Sequence, residues 1–358
     1  MVYSTTAERK GMKSTGAISI YLTAILSFAV SAGAQVQYKV VDLGTLGGGI
    51  SNAYGVNDLT QVVGVSQIAG GFNHGFLWMK PHGMKDLGTL GGNFSSAQAI
   101  NDASEIVGQA ATSQSTADAF LRKGSTMQDL GSLGGSSSQA NAINFNPLTQ
   151  DFSQIAGWSL TAGNGPYHAV VWDAGLNISD LGTLGGSNSF SFGNNCAGQV
   201  VGVADTVVLG ASHAFLWDSA SGMQDLGTLG GSLSQANGIN CAGLIVGYSF
   251  LAGDVLTHAF AYAGGGLIDL GTLGGSDSQA NAVNDIRQIV GFSTITGDTD
   301  EHAFLWTSQR GMQDLNNLIN NNSGWDLRGA NSISNNGRIV GSGLHNGQLH
   351  AFLLIPDF

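Results

Sequence analysis

Asp225 to Tyr262 reads DLGTLGGSLSQANGINCAGLIVGYSFLAGDVLTHAFAY, and its pieces decide the fold. Four short segments follow one another: DLGTLGG, then SQANGIN, then LIVGYS, then THAFAY. Each is apolar or alternating and is bounded by Gly, Asn, Asp or Ser, the pattern of β-strands separated by turns. No segment carries an apolar stripe at helical spacing, so helix is expected to be almost absent.

The same four segments recur along the chain. DLGTLGG begins at Asp42, Asp86, Asp180, Asp225 and Asp269, DLGSLGG at Asp129, and an eroded DLNNLIN at Asp314. Successive aspartates are 44, 43, 51, 45, 44 and 45 residues apart. The third segment keeps a glycine in every copy: Gly64, Gly108, Gly157, Gly202, Gly247, Gly291 and Gly341. The fourth reads HGFLW, DAFLR, HAVVW, HAFLW, HAFAY, HAFLW and HAFLL.

Four strands in roughly 45 residues is the size of one β-propeller blade, and seven blades lie within the known range. The expected fold is therefore all-β, a seven-bladed β-propeller. The apolar start VQYKVVDLGTL and the final HAFLLI each lack a partner segment. Their pairing would complete the seventh blade from both ends and leave no open edge. The alternative is a β-solenoid that stacks one repeat per coil.

Composition agrees with this reading. Of 358 residues 55 are glycine and 4 are proline, with 42% hydrophobic and 10% charged residues. The glycines have no Gly-X-Y period, which excludes collagen, and the apolar content can bury a core. Formal net charge is −12; setting aside Glu8, Arg9, Lys10 and Lys13, which sum to +2, leaves −14. So acidic a surface, with no Lys/Arg cluster, repels phosphate backbones, and nucleic acid is not an expected partner.

Residues 1–34 read as a signal peptide. Arg9, Lys10 and Lys13 form a basic start, with Met12 a possible initiator; an apolar run spans Ala17 to Ala32, and Ala32-Gly33-Ala34 fits a small-x-small cleavage site. The run is shorter than the roughly 20 residues a membrane span needs. Residues 35–358 then form one seven-repeat domain, exported to the periplasm or outside the cell, with no stable membrane span. A monomer is expected, since a closed ring leaves no edge strand in need of a partner.

The ordered set DLGTLGG, S-x-A-x-x-I-N, I-V-G-x-S and H-A-F-L-W resembles the HAF family of extracellular repeat proteins, named for its His-Ala-Phe tripeptide. The resemblance covers Val40 to Leu354. It implies export and a repeated β architecture, and it transfers no catalytic residue. Asp118 in place of the repeat histidine, Ser334 in place of the repeat asparagine, and DLNNLI depart from the pattern.

His74, His168, His213, His258, His302 and His350 suggest metal or acid–base chemistry, but a residue present once per blade is most simply structural. In HAFLW the His, Phe and Trp share one strand face, and the aspartate of the neighbouring DLGTL strand is the expected partner. Asn57, Asn101, Asn144, Asn195, Asn240 and Asn284 precede turns, where asparagine bonds local backbone. The LGG glycines lack the following helix and Lys-Ser/Thr of a phosphate cradle. Cys196 and Cys241 follow the repeat asparagine in consecutive copies. In a propeller these positions are expected to be too far apart for a disulfide, leaving two free thiols; in a solenoid they would pair.

Function is expected where the copies differ. The connections between the IVG and HAF segments vary most: QIAGGFN, ATSQSTA, LTAGNGPY, ADTVVLGAS, FLAGDVLT, TITGDTDE and GLHNGQL. Variable loops on a rigid scaffold suit binding. Thr296 to Glu301 holds three carboxylates in four residues but lacks the ligand count of a calcium loop, so a solvated acidic turn is expected. Copy three carries an insertion from Phe145 to Ser153, and copy seven one from Asn320 to Trp325. Tyr167 and an exposed Trp325 are candidates for stacking on sugar. The non-repeat acids Asp151, Asp205, Asp254, Asp298, Asp300 and Glu301 are spread over four separate copies, the last three sharing one acidic turn, whereas a hydrolase needs converging carboxylates. The expected function is non-enzymatic binding of an extracellular protein or glycan, with no cofactor, metal or catalytic residue assigned; a polysaccharide hydrolase or lyase is the alternative.

Overall fold

The third repeat segment needs its glycine because two chains crowd there. In the sixth copy Gly291 lies between Ala280 of the preceding strand and Phe304 of the following one. A bulge between Ala280 and Ala282 brings that preceding strand close. A Cβ on Gly291 would overlap the Gln279 carbonyl oxygen and lie 2.9 Å from the Phe304 ring. The space a side chain would take is filled by the fully buried phenylalanine of HAF instead.

The computed structural model describes residues 36–146 and 151–357. The signal-peptide reading of residues 1–34 lies outside the described residues, as does the middle of the copy-three insertion. Each repeat forms a four-stranded antiparallel array, as in Gly230–Ile239, Ile245–Leu251, Thr257–Tyr262 and Leu267–Asp269. In the last array the fourth strand comes from the other end of the chain. Trp325–Ile333, Ile339–His345 and Gln348–Asp357 are joined by Gln37–Asp42, in register from Gln37 opposite Asp357 to Asp42 opposite Phe352. The pairing expected of the two chain ends is thus present.

Hydrogen bonds divide the strands into three four-stranded and two eight-stranded sheets, not one closed sheet. The eight-stranded ones each join two arrays by a single parallel bridge, Ser137 to Ala117 and Ser212 to Leu233. Apolar packing provides the other connections. Val63 of the first array packs with Leu87, Ile100, Ile106 and Phe120 of the second, and equivalent clusters lie at each later junction. One such cluster sets Val340, Ala351 and Leu353 of the last array against Ala53, Val62, Phe76 and Trp78 of the first. Each buried phenylalanine contributes about 1.5–3 kcal/mol to these contacts.

Among the described residues the one helical element is a 3₁₀ turn, Leu315–Leu318, formed by the eroded DLNNLI. Asp314 caps it by accepting from the Asn316 amide, and Leu315 and Leu318 are buried. Among the described residues no helix is long and apolar enough to cross a membrane.

Candidate functional site

All six repeat histidines meet the aspartate expected from sequence. Nδ1 lies 2.7–3.1 Å from a carboxylate oxygen in His74–Asp86, His168–Asp180, His213–Asp225, His258–Asp269, His302–Asp314 and His350–Asp42. The same carboxylates cap their own turns: Asp86 Oδ1 accepts from the Gly88 amide at 2.7 Å, and the other pairs repeat this. Burial pushes the Asp42 carboxyl up, but hydrogen bonds from the Gly44 amide, His350 and His345 outweigh it and hold it below the usual range. The pairs belong to separate arrays and are joints of the repeat. In the second array Asp118 replaces the histidine, so two carboxyls face each other; burial first, and then the negative charge of Asp129, push Asp118 upward.

The repeat asparagines do more than cap their own turns. Each is buried, and each donates from Nδ2 to the next array: Asn57 to Asn101 O, Asn101 to Asn144 O, Asn144 to Asn195 O, Asn195 to Asn240 O, Asn240 to Asn284 O and Asn284 to Ser334 O, at 2.9–3.3 Å. The residue that follows forms a second set of links. The amide of Cys241 donates to Asp285, Asp285 to Asn335, Asn335 to Asp58 and Asp58 to Asp102, at 2.8–2.9 Å.

Cys196 and Cys241 occupy that second set, and they form a disulfide with Cα atoms 5.4 Å apart. The expectation of two free thiols is overturned. It treated these turns as outlying loops, whereas they end the innermost strands, where the arrays converge and neighbouring backbones approach to hydrogen-bonding distance. Pairing of adjacent repeats therefore does not discriminate against a propeller.

Inside these links the first strands of all seven arrays surround two cavities, of about 430 and 310 Å³. Asp58, Asp102 and Asp285 line the larger, and burial raises the Asp102 carboxyl, opposed by the hydrogen bond from the Asp58 amide and reinforced by the Asp58 charge. At the smaller, five arrays present an Asn or Gln at one repeat position, with Tyr54 and Phe192 in its place in the other two. Several of these amides are engaged: Asn141, Asn237, Asn281 and Asn331 donate to backbone carbonyls of the next array at 2.8–2.9 Å.

The variable connections leave the arrays at the opposite end, beside the LGG turns. Asn164, Asp254 and Asp298 accept there from the amides of Ser136, Ser232 and Ser276. The other non-repeat acids also have partners: Asp151 with Lys123, Asp205 with Asn188 and Ser212, Asp300 with Arg328. The acidic turn at Thr296 to Glu301 is thus tied down through Asp298 and Asp300, with Glu301 exposed. Trp325, expected to be exposed, is half-buried and stacks on His345, a residue the sequence reading did not single out. Tyr167 packs against Trp158 and Phe190, with centroids 5.3 and 5.2 Å away. The most exposed apolar side chains lie at this end, in consecutive arrays: Val207 at 81%, Leu209 at 103% and Val255 at 81% exposure.

No protein-family model and no curated protein matches the sequence. Solved structures do. The β-propeller domain of the Trilobed protease from Pyrococcus furiosus aligns at 8% identity over 89% of this chain and 97% of its own, with a TM-score of 0.54. The WD40 β-propeller domain of Doa1 aligns at 14% identity over 89% of this chain and 96% of its own, with a TM-score of 0.45. At such identity the likeness concerns fold alone, and only the first is close enough to carry it: the chain is an all-β repeat protein with a β-propeller scaffold.

Proposed function

We propose that the chain is an exported HAF-repeat protein, a monomeric seven-bladed propeller closed by Gln37–Asp42, that binds an extracellular protein through its variable loops without chemical turnover. Support for closure comes from the pairing of Gln37–Asp42 with Gln348–Asp357, the core cluster between last and first arrays, and the Asn335–Asp58 link. The observation that carries the binding reading is the exposed group Val207, Val208, Leu209, Val255 and Leu256 on two consecutive variable loops. Exposed apolar clusters of this kind on a rigid scaffold mark interaction surfaces, and the hydrogen-bonded neck of each loop limits the ordering entropy lost on binding.

The test is an array of proteins and glycans probed with the full chain and with a Val207→Ser/Leu209→Ser/Val255→Ser variant. Protein ligands held by the wild type and weakened at least tenfold in the variant are expected. Glycan ligands insensitive to the three substitutions would replace the loop-face reading. The carboxylates lining the larger cavity favour one second reading, a polysaccharide hydrolase. Wild-type turnover of a polysaccharide that disappears in Asp102→Asn would establish it and end the non-enzymatic proposal.

A further inference from the structure

We propose that Asp42, His345 and His350 form a binding site for one divalent transition-metal ion of the Zn²⁺ class. Five arrays hold a single histidine against the repeat aspartate, and in the sixth copy His302 Nε2 also lies 3.8 Å from Asp326. The array completed by Gln37–Asp42 holds two. His345 Nδ1 lies 2.9 Å from Asp42 Oδ2, and His350 Nδ1 lies 3.1 Å from both carboxylate oxygens. One ligand atom from each of the three residues falls within 4.8 Å of the other two. The second histidine is a departure from the repeat: Ile68, Thr112, Thr161, Thr206, Leu251 and Ile295 stand at its position in the other copies.

The ligands are oriented before any ion arrives. Trp325 lies opposite His345 in the strand register and stacks on its ring, with centroids 4.7 Å apart and planes 1° from parallel. The Gly44 amide donates to Asp42 Oδ1 at 2.8 Å and fixes the carboxylate. Zinc bonds of about 2.0–2.1 Å imply ligand atoms roughly 3.3–3.5 Å apart in a tetrahedron, so the two aspartate–histidine distances have to widen by only a few tenths of an ångström. Two imidazoles with one carboxylate suit Zn²⁺, Cu²⁺ or Ni²⁺, whereas Ca²⁺ and Mg²⁺ prefer all-oxygen sets. Three protein ligands leave a coordination position open. Beside it lies a pocket of about 430 Å³ lined by Tyr38, Lys39, Asn320, Ser323 and Trp325. The copy-seven insertion thus supplies one wall of the site.

The experiment is titration of the untagged, chelator-stripped full chain with Zn²⁺ by calorimetry, and with Cu²⁺ by tryptophan fluorescence. One equivalent of Zn²⁺ is expected. His345→Leu, which installs the residue the fifth copy carries naturally, should weaken binding at least tenfold, while His258→Asn should leave it unchanged. Cu²⁺ should quench one tryptophan saturably at one equivalent, and Trp325→Phe should remove that quench; this arm decides the matter if His345→Leu does not fold. Absence of stoichiometric binding, binding that survives His345→Leu in a folded variant, equal loss in His258→Asn, or a quench indifferent to Trp325→Phe would each overturn the site.

Discussion

The disulfide between Cys196 and Cys241 offers a quantitative test of how the innermost turns are held. The bridge closes a loop of 45 residues. Removing it releases chain entropy to the unfolded state of roughly 2.1 + 1.5R ln 45 cal/mol/K, or about 4 kcal/mol at 25 °C. The turns would not fly apart, because the neighbouring positions remain linked by amide-to-side-chain hydrogen bonds. Unfolding entropy for a domain of roughly 320 residues is about 0.7 kcal/mol/K, so the same loss lowers Tm by about 6 °C. The perturbation is Cys196→Ser/Cys241→Ser, compared with wild type purified without reductant, in scanning calorimetry and urea titration. A thiol titration of the denatured, unreduced wild type should find no thiol. Two reactive thiols in that sample, or a double variant melting within 1 °C of wild type, would refute the reasoning from convergence of the inner turns.

The asparagine links and Asp129, the repeat aspartate that faces Asp118 and no histidine, give two further expectations. Asn240→Ala deletes both the donor to Asn284 O and the acceptor of the Leu244 amide, in a buried setting, and should cost about 1–3 kcal/mol in urea unfolding. Asn240→Ser should cost less, because Ser334 shows that serine keeps the local half of the arrangement by accepting from the Arg338 amide. Asp118→His should restore the repeat pair with Asp129 and gain about 0.5–1 kcal/mol at neutral pH. Folding raises the Asp118 pKa, so the wild type loses stability as pH rises through that raised value and recovers it as pH falls. The advantage of Asp118→His in thermal melts should therefore shrink only once pH falls into the carboxylate range, because at mildly acidic pH protonation of the introduced histidine beside Asp129 adds to it.

The repeat was readable because strand, turn and pairing requirements are local and recur. Phe304 over Gly291, and His302 against Asp314, are contacts within or between adjacent segments of one copy, and spacing alone brings them together. What spacing did not convey was the distance between copies. Asn240 reads as a turn former, and only the placement of its turn beside Asn284 reveals the link to the next array. The cysteines were misjudged for the same reason. His345 is different: its signal was in the sequence, as the one histidine at a position otherwise filled by Ile, Thr or Leu, but its partner Asp42 lies 303 residues away. A pairing across the two ends of the chain supplies that proximity, and the repeat period does not.

Repetition constrains where chemistry can be built. A side chain added to every copy points in seven directions, so a convergent site needs residues that one copy has and the others lack. The last array gathers such departures. It carries Arg328 where the other copies have a serine that ties adjacent arrays, and Arg328 pairs with Asp300 and Asp326 instead. It also carries the 3₁₀ turn at Leu315–Leu318, the inserted Asn320 to Trp325, and His345. Its fourth strand, Gln37–Asp42, comes from a distant part of the chain, so the DLG strand that follows the sixth copy, Gly311–Asp314, can lead into a lengthened connection without disturbing the last array's own pairing. That freedom explains why the insertion, the stacked indole and the second histidine occur together here, against the strand that completes the array. Specific chemistry is therefore expected at the junction of the chain's two ends, while the loop tips of the fourth and fifth arrays present the apolar surface.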